Sequence, residues 1–239
     1  MGYKYLSVTN KGLKRSDNQD SLGVYEIDGG ILAIVCDGLG GNKAGDIAAQ
    51  LSVNTVYEYF KSSSQNDYLE KIESAIIEAN NSILNKASVN NDFKGMATTI
   101  EVLYFINNTA YFGHVGDSRM YHLLNGKLKQ LTKDHSLVQK LIDEGLLTIN
   151  EAENHPNKNI IMRALGDNLD IEIDLNKINL KPSDHCLFFL CTDGVTTVVK
   201  DYELEKILSD YDSIKETLSD LINQRGAPDN FTFVAVEEY

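Results

Sequence analysis

Two strand-like segments near the N-terminus are separated by a short polar turn. Residues 21–27 have the composition of a strand, and residues 31–36 (Ile-Leu-Ala-Ile-Val-Cys) are apolar without interruption. Asp28-Gly29-Gly30 between them is a typical hairpin turn sequence. We therefore predict a β-hairpin, and we expect its second strand to lie in the core because it has no polar position to expose.

Apolar residues then recur at helical spacing. From Ala44-Gly45-Asp46 onwards, the apolar positions fit one face of a helix: Ile47, Ala48, Leu51, Val56 and Phe60. Residues 62–66 are polar, and Asp67 is a candidate N-cap. A second helix is predicted beyond it, because a further set of apolar residues has the same spacing: Leu69, Ile72, Ile76, Ile77, Ile83 and Leu84.

The rest of the chain groups hairpins and helices into blocks. Strands are predicted at 98–106, 109–115, 120–124, 127–131, 186–191 and 231–236, and helices at 136–144, 202–208 and 214–223, with a short helix opened by a capping box at 148–151. Asn107-Asn108 and Asn125-Gly126 are predicted hairpin turns. Hairpins that form sheets, with paired helices between them, predict stacked antiparallel sheets covered by helices, which is an α+β fold.

The composition is that of a soluble globular protein. Of 239 residues, 42% are hydrophobic and 24% are charged, and both shares are ordinary for this class. No segment rich in Pro, Gly and Ser divides the chain, so a single domain spanning residues 1–239 is predicted. The net charge of −13 argues against nucleic acids and anionic membranes as partners.

The three cysteines, Cys36, Cys186 and Cys191, form neither a metal-ligand pattern nor a disulfide pattern. Each lies in or at the end of an apolar strand, so we interpret them as small buried hydrophobic residues. The N-terminal residues lack the apolar segment of a secretion signal, and no run of about 18 apolar residues occurs. These features predict a protein of the reducing cytoplasm.

Four aspartates carry the candidate chemistry, each at the edge of an apolar strand-like run: Asp20, Asp37, Asp193 and Asp229. The first hairpin is expected to place Asp20 beside Asp37 and Gly38, and antiparallel pairing of the last two strands would bring Asp193 to Asp229. One aspartate at a turn usually bonds only its own backbone. Four on one rim repel one another, by about 4 kcal/mol per pair at ~4 Å and an effective dielectric of ~20.

Cations between these carboxylates would relieve that repulsion. Oxygen-only sites suit hard divalent ions, Mg²⁺ or Mn²⁺, better than zinc. We therefore interpret the chain as a two-metal hydrolase. Asp117, which follows the strand 109–115, is expected roughly opposite Thr98 on a strand rim and is a fifth, weaker candidate.

Eight short motifs follow one another along the chain: Arg15-Ser16-Asp17-Asn18-Gln19-Asp20, Asp37-Gly38-Leu39-Gly40-Gly41, Gly95-Met96-Ala97-Thr98-Thr99, Gly116-Asp117-Ser118-Arg119, Leu131-Thr132-Lys133-Asp134-His135, Ile161-Met162-Arg163-Ala164-Leu165-Gly166, Thr192-Asp193-Gly194 and Pro228-Asp229-Asn230. In this order and spacing the chain resembles, essentially end to end, the metal-dependent serine/threonine protein phosphatases of the 2C type in their compact bacterial form. The resemblance implies a four-layer α-β-β-α sandwich, with two stacked antiparallel sheets flanked by helix pairs and the metals at one end.

The resemblance also implies a set of metal contacts. Asp37 resembles the carboxylate that bridges two core Mn²⁺ or Mg²⁺ ions, and Gly38 would add its backbone carbonyl to one of them. Asp193 and Asp229 would hold the other ion, and Asp20 resembles an acid that contacts metal-bound water. Asp117, together with Asp193, resembles the ligand of a third and weaker ion.

Arg15 corresponds to the arginine that binds the substrate phosphate, as a guanidinium does with two parallel hydrogen bonds. The activity implied is hydrolysis of phosphoserine and phosphothreonine in proteins by water activated at a binuclear Mn²⁺ or Mg²⁺ centre. Arg15, Asp20 and Asp37 are the predicted catalytic residues. A cytoplasmic monomer is expected, with a bacterial Ser/Thr kinase and the substrates of that kinase as partners.

Two alternatives remain open from the residues. One is a catalytically weak or inactive phosphatase-like module that binds phosphoproteins or signalling partners, although such relatives typically lose metal carboxylates. The other is an enzyme of small phosphoesters or nucleotides, since a two-metal site cleaves many monoesters.

Two positions depart from the family pattern. Gln19 stands where many members have Glu, and Asn42 stands where bacterial members often have a His that is a candidate proton donor. Because Asn cannot donate a proton in that way, no general acid is assigned, and His114 is interpreted as structural because it lies within a strand. Residues 133–166 resemble the mobile flap of the family, a subdomain beside the active site.

Overall fold

The computed structural model describes residues 2–39, 44–181 and 184–238. Within these ranges it contains eleven strands, β1 (Tyr3–Asn10), β2 (Asp20–Ile27), β3 (Gly30–Leu39), β4 (Ala97–Thr98), β5 (Ile100–Ile106), β6 (Thr109–Val115), β7 (Arg119–Leu124), β8 (Lys127–Gln130), β9 (Asp174–Asn179), β10 (Cys186–Cys191) and β11 (Phe231–Glu238). The same ranges contain seven α-helices, α1 (Ala44–Ser62), α2 (Tyr68–Val89), α3 (Leu137–Asp143), α4 (Ile149–Glu153), α5 (Asp193–Thr196), α6 (Asp201–Leu208) and α7 (Ile214–Gln224).

The strands form two antiparallel sheets. One has the strand order β1-β11-β10-β7-β8, and the other has the order β2-β3-β5-β6-β9, with β4 paired to β3. The predicted first hairpin is present, and its register places Asp20 directly opposite Asp37. The last two predicted strands, β10 and β11, also pair antiparallel, with Cys191 opposite Phe233.

Three hydrophobic clusters show that the molecule has four layers. In β10, Phe188 packs between the two sheets, whereas Phe189 packs against α6 and α7 on the outer face. In β3, Val35 faces the other sheet and Ile34 faces α1 and α2. Neighbouring side chains of a strand point to opposite faces, so a strand with helices on one face and a sheet on the other must be apolar throughout. The predicted fold class is confirmed.

Two-residue turns join the strands at one end of the sandwich. Both central residues have positive φ in each turn: 51° and 79° at Asp28 and Gly29, 49° and 57° at Asn107 and Asn108, and 50° and 80° at Asn125 and Gly126. Turns with two positive φ values match the twist of the strands they join and favour Asn, Asp and Gly. The three predicted hairpins are therefore present at the predicted turns.

Two strands were not predicted. β1 pairs with β11 and β9 pairs with β6, and each lies at the edge of its sheet. Edge strands carry more polar residues because water covers part of their surface, so they lack the apolar run that marks β3 or β10. The strand predicted at 98–106 is interrupted at Thr99, where β4 ends and β5 begins.

The segment 133–166 contains α3 and α4, which is the helix pair that the sequence predicts. Ser136 is the N-cap of α3, and Thr148 and Glu151 form the predicted capping box of α4. Its assignment as a flap subdomain of a single domain stays a prediction. None of the helices in the described part of the chain is both long enough and apolar enough to cross a membrane.

Candidate active site

The predicted aspartates lie at the ends of strands, at the end of the sandwich opposite the two-residue turns. Asp20 begins β2, Asp37 lies near the end of β3, and Asp117 follows β6. Asp193 follows β10 as the first residue of α5, and Asp229 comes two residues before β11. The charges of the other four carboxylates all act on Asp37, and we therefore call it the central aspartate.

The cluster is electrostatically strained when all its members are charged. Burial, followed by the charges of the neighbouring aspartates, raises the pKa of Asp37 well above its ordinary value. Burial also raises the pKa of Asp117 to about 7, with Asp193 as the next cause. For Asp20, burial and the charges of Asp193 and Asp229 outweigh hydrogen bonds from two threonines and raise the pKa to about 7. The positive charges nearby, Arg15 and Arg119 acting on Asp193 and Arg119 acting on Asp117, do not offset this burial and repulsion.

The donor set fits divalent cations. Asp20 Oδ1 and Asp117 Oδ1 are buried and make no hydrogen bond within the described residues, although buried polar atoms almost always have a partner. No group of three or more His, Cys, Asp or Glu side chains in those residues is placed to hold an ion alone. Mg²⁺ usually keeps several waters and takes only one or two carboxylates, so a buried carboxylate with an unbonded oxygen can supply a ligand without such a group.

The backbone of Asp37 is fixed by two threonines of the motif 95–99. Its N–H donates to Thr99 Oγ1 at 2.9 Å, and its carbonyl accepts from Thr98 Oγ1 at 2.8 Å and from the Thr99 N–H at 2.9 Å. Thr99 Oγ1 also lies 2.7 Å from the hydroxyl of Ser118, the residue after Asp117. This motif therefore links the strand end that carries Asp37 to the turn that carries Asp117.

Gly38 lies where a side chain has no room. A Cβ at this position would be 2.2 Å from the carbonyl oxygen of Gly45, because α1 begins directly against β3. The Gly38 N–H donates to the Gln19 carbonyl at 3.2 Å. Glycine here therefore allows the start of α1 to approach the strand end that carries the central aspartate.

Sequence analysis missed the part played by Asn230. Its Oδ1 accepts from the Gln19 N–H at 2.9 Å, and its Nδ2 donates to the carbonyls of Lys11 and Asp17 at 2.8 and 2.9 Å. The carboxamide thereby fastens the loop around Arg15 to the start of β11. The only sequence signal for this role is the position of Asn230 directly after Asp229.

Thr192 is a second position whose part in the site was missed. Its hydroxyl donates to Asp20 Oδ2 at 2.9 Å. Thr192 Oγ1 in turn accepts from the Thr232 N–H at 3.0 Å. The threonine therefore orients Asp20 from the opposite sheet.

Arg15 lies at the rim of the cluster. Its Nη2 is 2.6 Å from Asp229 Oδ2, and 53% of its side chain is exposed. The hydrogen bond to Asp229 is the main cause that raises the pKa of Arg15, and Asp193 and Asp37 add to it. The cation predicted to bind phosphate is thus next to the aspartates and accessible to solvent.

The histidines near the site have structural contacts. His114 is fully buried, with Nδ1 2.6 Å from Glu101 Oε1 and Nε2 2.9 Å from the Lys133 carbonyl oxygen. Both of its nitrogens are occupied, which agrees with its interpretation as structural. Asn42, Gly40 and Gly41 lie outside the described residues. The three cysteines are free and buried, as predicted.

Comparison with known proteins places this chain in a family. Residues 13–230 match the family described as protein phosphatase 2C. The chain belongs to the protein phosphatase 2C family. The family and the type of enzyme predicted from the sequence are confirmed.

Two solved structures and one further relative illustrate the likeness to this phosphatase family. The serine/threonine phosphatase stp of Listeria welshimeri is 37% identical over 237 residues, which cover 96% of this chain and 93% of that protein. The crystal structure of the Mycobacterium tuberculosis serine/threonine phosphatase PstP/Ppp has a TM-score of 0.89 at 33% identity and covers 98% of both chains. The catalytic domain of PstP in complex with two manganese ions has a TM-score of 0.84 at 31% identity, covering 98% of this chain and 97% of that one.

Proposed function

We propose that this 2C-type phosphatase hydrolyses phosphoserine and phosphothreonine in proteins at the aspartate cluster. The observation that carries the proposal is the combination of buried, mutually repelling carboxylates with one accessible arginine at their rim. The relatives named serine/threonine phosphatases, and the relative that binds two manganese ions, support it.

The cluster would hold two divalent ions. Asp37 would bridge them, the Gly38 carbonyl would complete one site, and Asp193 with Asp229 would form the other. Asp20 would hold the water shell of the ions, and Asp117 would hold a third ion more weakly. Two such ions supply a water of lowered pKa and neutralise the charge that develops on a transferring phosphoryl group.

The residues of the chain would do the positioning. Arg15 would exchange its bond with Asp229 for the phosphate dianion, which a guanidinium binds through two parallel hydrogen bonds. Thr98 and Thr99 would keep Asp37 aligned through its backbone, and Thr192 would hold one oxygen of Asp20 while its other oxygen stays available. His114 would take no part in proton transfer because both of its nitrogens are bonded within the core.

The cellular role proposed is removal of phosphate groups placed by a Ser/Thr kinase, by a monomeric cytoplasmic enzyme. The partners would then be that kinase and its phosphorylated substrates. Mn²⁺ and Mg²⁺ both suit the oxygen donors, and the cluster by itself does not discriminate between them.

Turnover of matched substrates tests the proposal. We expect Mn²⁺-dependent release of phosphate from phosphoserine and phosphothreonine peptides, with the Asp37→Asn variant as the inactive control. A preference for a small phosphoester or a nucleotide over both peptides would indicate the alternative enzyme. Binding of phosphopeptide without turnover, at saturating Mn²⁺, would refute the proposal and indicate a binding module.

A further inference from the structure

We propose that His135 is a positioning residue for Asp117, and that it joins the segment 133–166 to the carboxylate cluster. The inference rests on the proposed function, since it gives Asp117 the role of a metal ligand. Neither the sequence motifs nor the mechanism proposed above assigns a role to His135.

His135 holds the residue before Asp117 from two directions. Its backbone N–H donates to the Gly116 carbonyl at 2.7 Å, and its ring Nδ1 accepts from the Gly116 N–H at 3.1 Å. Both hydrogen-bonding groups of one peptide residue are thus bound by one histidine. The turn that leads into Asp117 is fixed by a residue at the start of the segment 133–166.

The same turn has little freedom on its other side. Gly116 has a φ of 118°, and a Cβ there would be 2.5 Å from the Thr99 side chain. Asp117 is 9% exposed, and its Oδ1 has no hydrogen-bond partner in the described residues. Because no described side chain orients this oxygen, its direction depends on the backbone that Thr99 and His135 hold between them.

The His135 ring is itself held in place. It packs on the ring of His114, with centroids 4.4 Å apart, and His114 is bonded to Glu101 and to the Lys133 carbonyl. Its Nε2 lies 3.3 Å from Asp174 Oδ2. Arg163 Nη1, which can only donate, is 3.1 Å from Nε2 and donates to Asp174 Oδ1. Since Nδ1 accepts from an amide, the proton of the neutral ring is on Nε2, where Asp174 can accept it.

The matched pair His135→Asn and His135→Leu tests the role. Asn and Leu have the same branched shape, but only Asn offers an oxygen near the position of Nδ1 that can accept from the Gly116 N–H. We expect His135→Leu to weaken Mn²⁺ binding at the Asp117-dependent site about tenfold, because a buried N–H is left without a partner. We expect His135→Asn to stay within about threefold of the parent and the tighter ions to bind unchanged in both variants.

Calorimetric Mn²⁺ titration of the full chain measures these affinities, with Asp117→Ala and the double variant Asp117→Ala/His135→Leu alongside. If His135 acts through Asp117, the double variant binds Mn²⁺ as Asp117→Ala does. Parent-like titration of His135→Leu, equal loss in the Asn and Leu variants, or a further loss in the double variant would overturn the inference. An unchanged titration of Asp117→Ala would instead remove the third-ion assignment, and the inference with it.

A measurement on the unmodified protein keeps the inference testable if His135→Leu does not fold. The ¹⁵N shifts of the His135 ring should show an unprotonated Nδ1 and a protonated Nε2, and the Gly116 amide should exchange slowly with solvent. A protonated Nδ1, or a Gly116 amide that exchanges as fast as an exposed one, would contradict the proposed contact.

Discussion

Replacement of Asp20 by Asn should stabilise the metal-free protein, and the gain should depend on pH. Asp20 is buried, one of its oxygens accepts from Thr192, and the other has no partner in the described part of the chain. Asn keeps an oxygen for Thr192 and removes one negative charge from the cluster. Its amide also offers donors to the carboxylates that remain.

The magnitude follows from the shifted pKa. Burial, together with the charges of Asp193 and Asp229, raises the pKa of Asp20 from 3.8 to about 7. Since one pKa unit corresponds to about 1.4 kcal/mol, the charged carboxylate costs the folded state about 4 kcal/mol at pH 8. The folded carboxyl binds its proton more tightly than the unfolded one, so this cost declines as the pH falls below 7 and is lost only near the unfolded pKa of 3.8. At pH 5.5 about 2 kcal/mol of it should have been relieved.

Urea unfolding of both proteins in a chelator, at pH 5.5 and pH 8, measures the difference. The variant should be more stable by about 4 kcal/mol at pH 8 and by about 2 kcal/mol at pH 5.5. Comparing the two proteins is necessary because His135 acts in the opposite sense. Burial, His114 and Arg163 lower its pKa to about 4, so acid destabilises the fold through this residue in both proteins.

Saturating Mn²⁺ should reverse the order of stability, because ions that bind only the folded state stabilise the parent more than the variant. A variant less stable than the parent in chelator at pH 8 would refute this account of the cluster. A stability difference that does not change between pH 5.5 and pH 8 would show that Asp20 is charged, and already compensated, in the metal-free fold.

Four further outcomes are expected. Exhaustive chelation should abolish turnover and added Mn²⁺ should restore it; full activity after metal removal would exclude the two-metal mechanism. Asp37→Asn should lower turnover by orders of magnitude and leave the circular dichroism spectrum unchanged, so near-normal turnover would show that Asp37 is not the bridge. Arg15→Ala should lower kcat/KM by one to two decades for every phosphoester and leave Mn²⁺ affinity unchanged. This loss is the equivalent of about 1.5–3 kcal/mol for one charge-assisted bond to phosphate. If the variant had the same kcat/KM as the parent, Arg15 would not bind the phosphate. Asn230→Ala should lower the free energy of unfolding by about 1–3 kcal/mol because three backbone groups lose their partner. A loss below about 0.5 kcal/mol would contradict the role of Asn230 in holding the loop around Arg15.

The centre of the fold could be predicted because local and global signals agree there. The run 31–36 is apolar throughout since both faces of β3 are buried, and Asp28-Gly29 supplies the two positive φ values that a two-residue turn needs. Once the turn is fixed, counting along both strands places Asp20 opposite Asp37. The position of Asp20 opposite the central aspartate therefore follows from short-range sequence alone.

The supports of the site could not be predicted in this way. Asn230 bonds residues more than 200 positions away, and Thr98 bonds the Asp37 carbonyl 61 positions away. A carboxamide or hydroxyl in a turn has the same local pattern whether it bonds a neighbour or a distant loop. The edge strands β1 and β9 were missed for a related reason. Their polar residues are partly covered by water, so these strands lack the apolar run that marks a central strand.

The two-residue turns lie a whole strand length from the aspartates, which is about 20 Å for the seven residues of β6. At two of these turns, Asp28-Gly29 and Asn125-Gly126, the tips are exposed, and nothing lies within 4 Å of a Cβ built at either glycine. Exposed turn tips of this kind are where peptide insertions and new chain ends are best tolerated. The molecule thus offers a point of attachment: a tag inserted at Asn125-Gly126, a turn that does not set the pairing of Asp20 with Asp37, could immobilise it with the aspartates facing the solution.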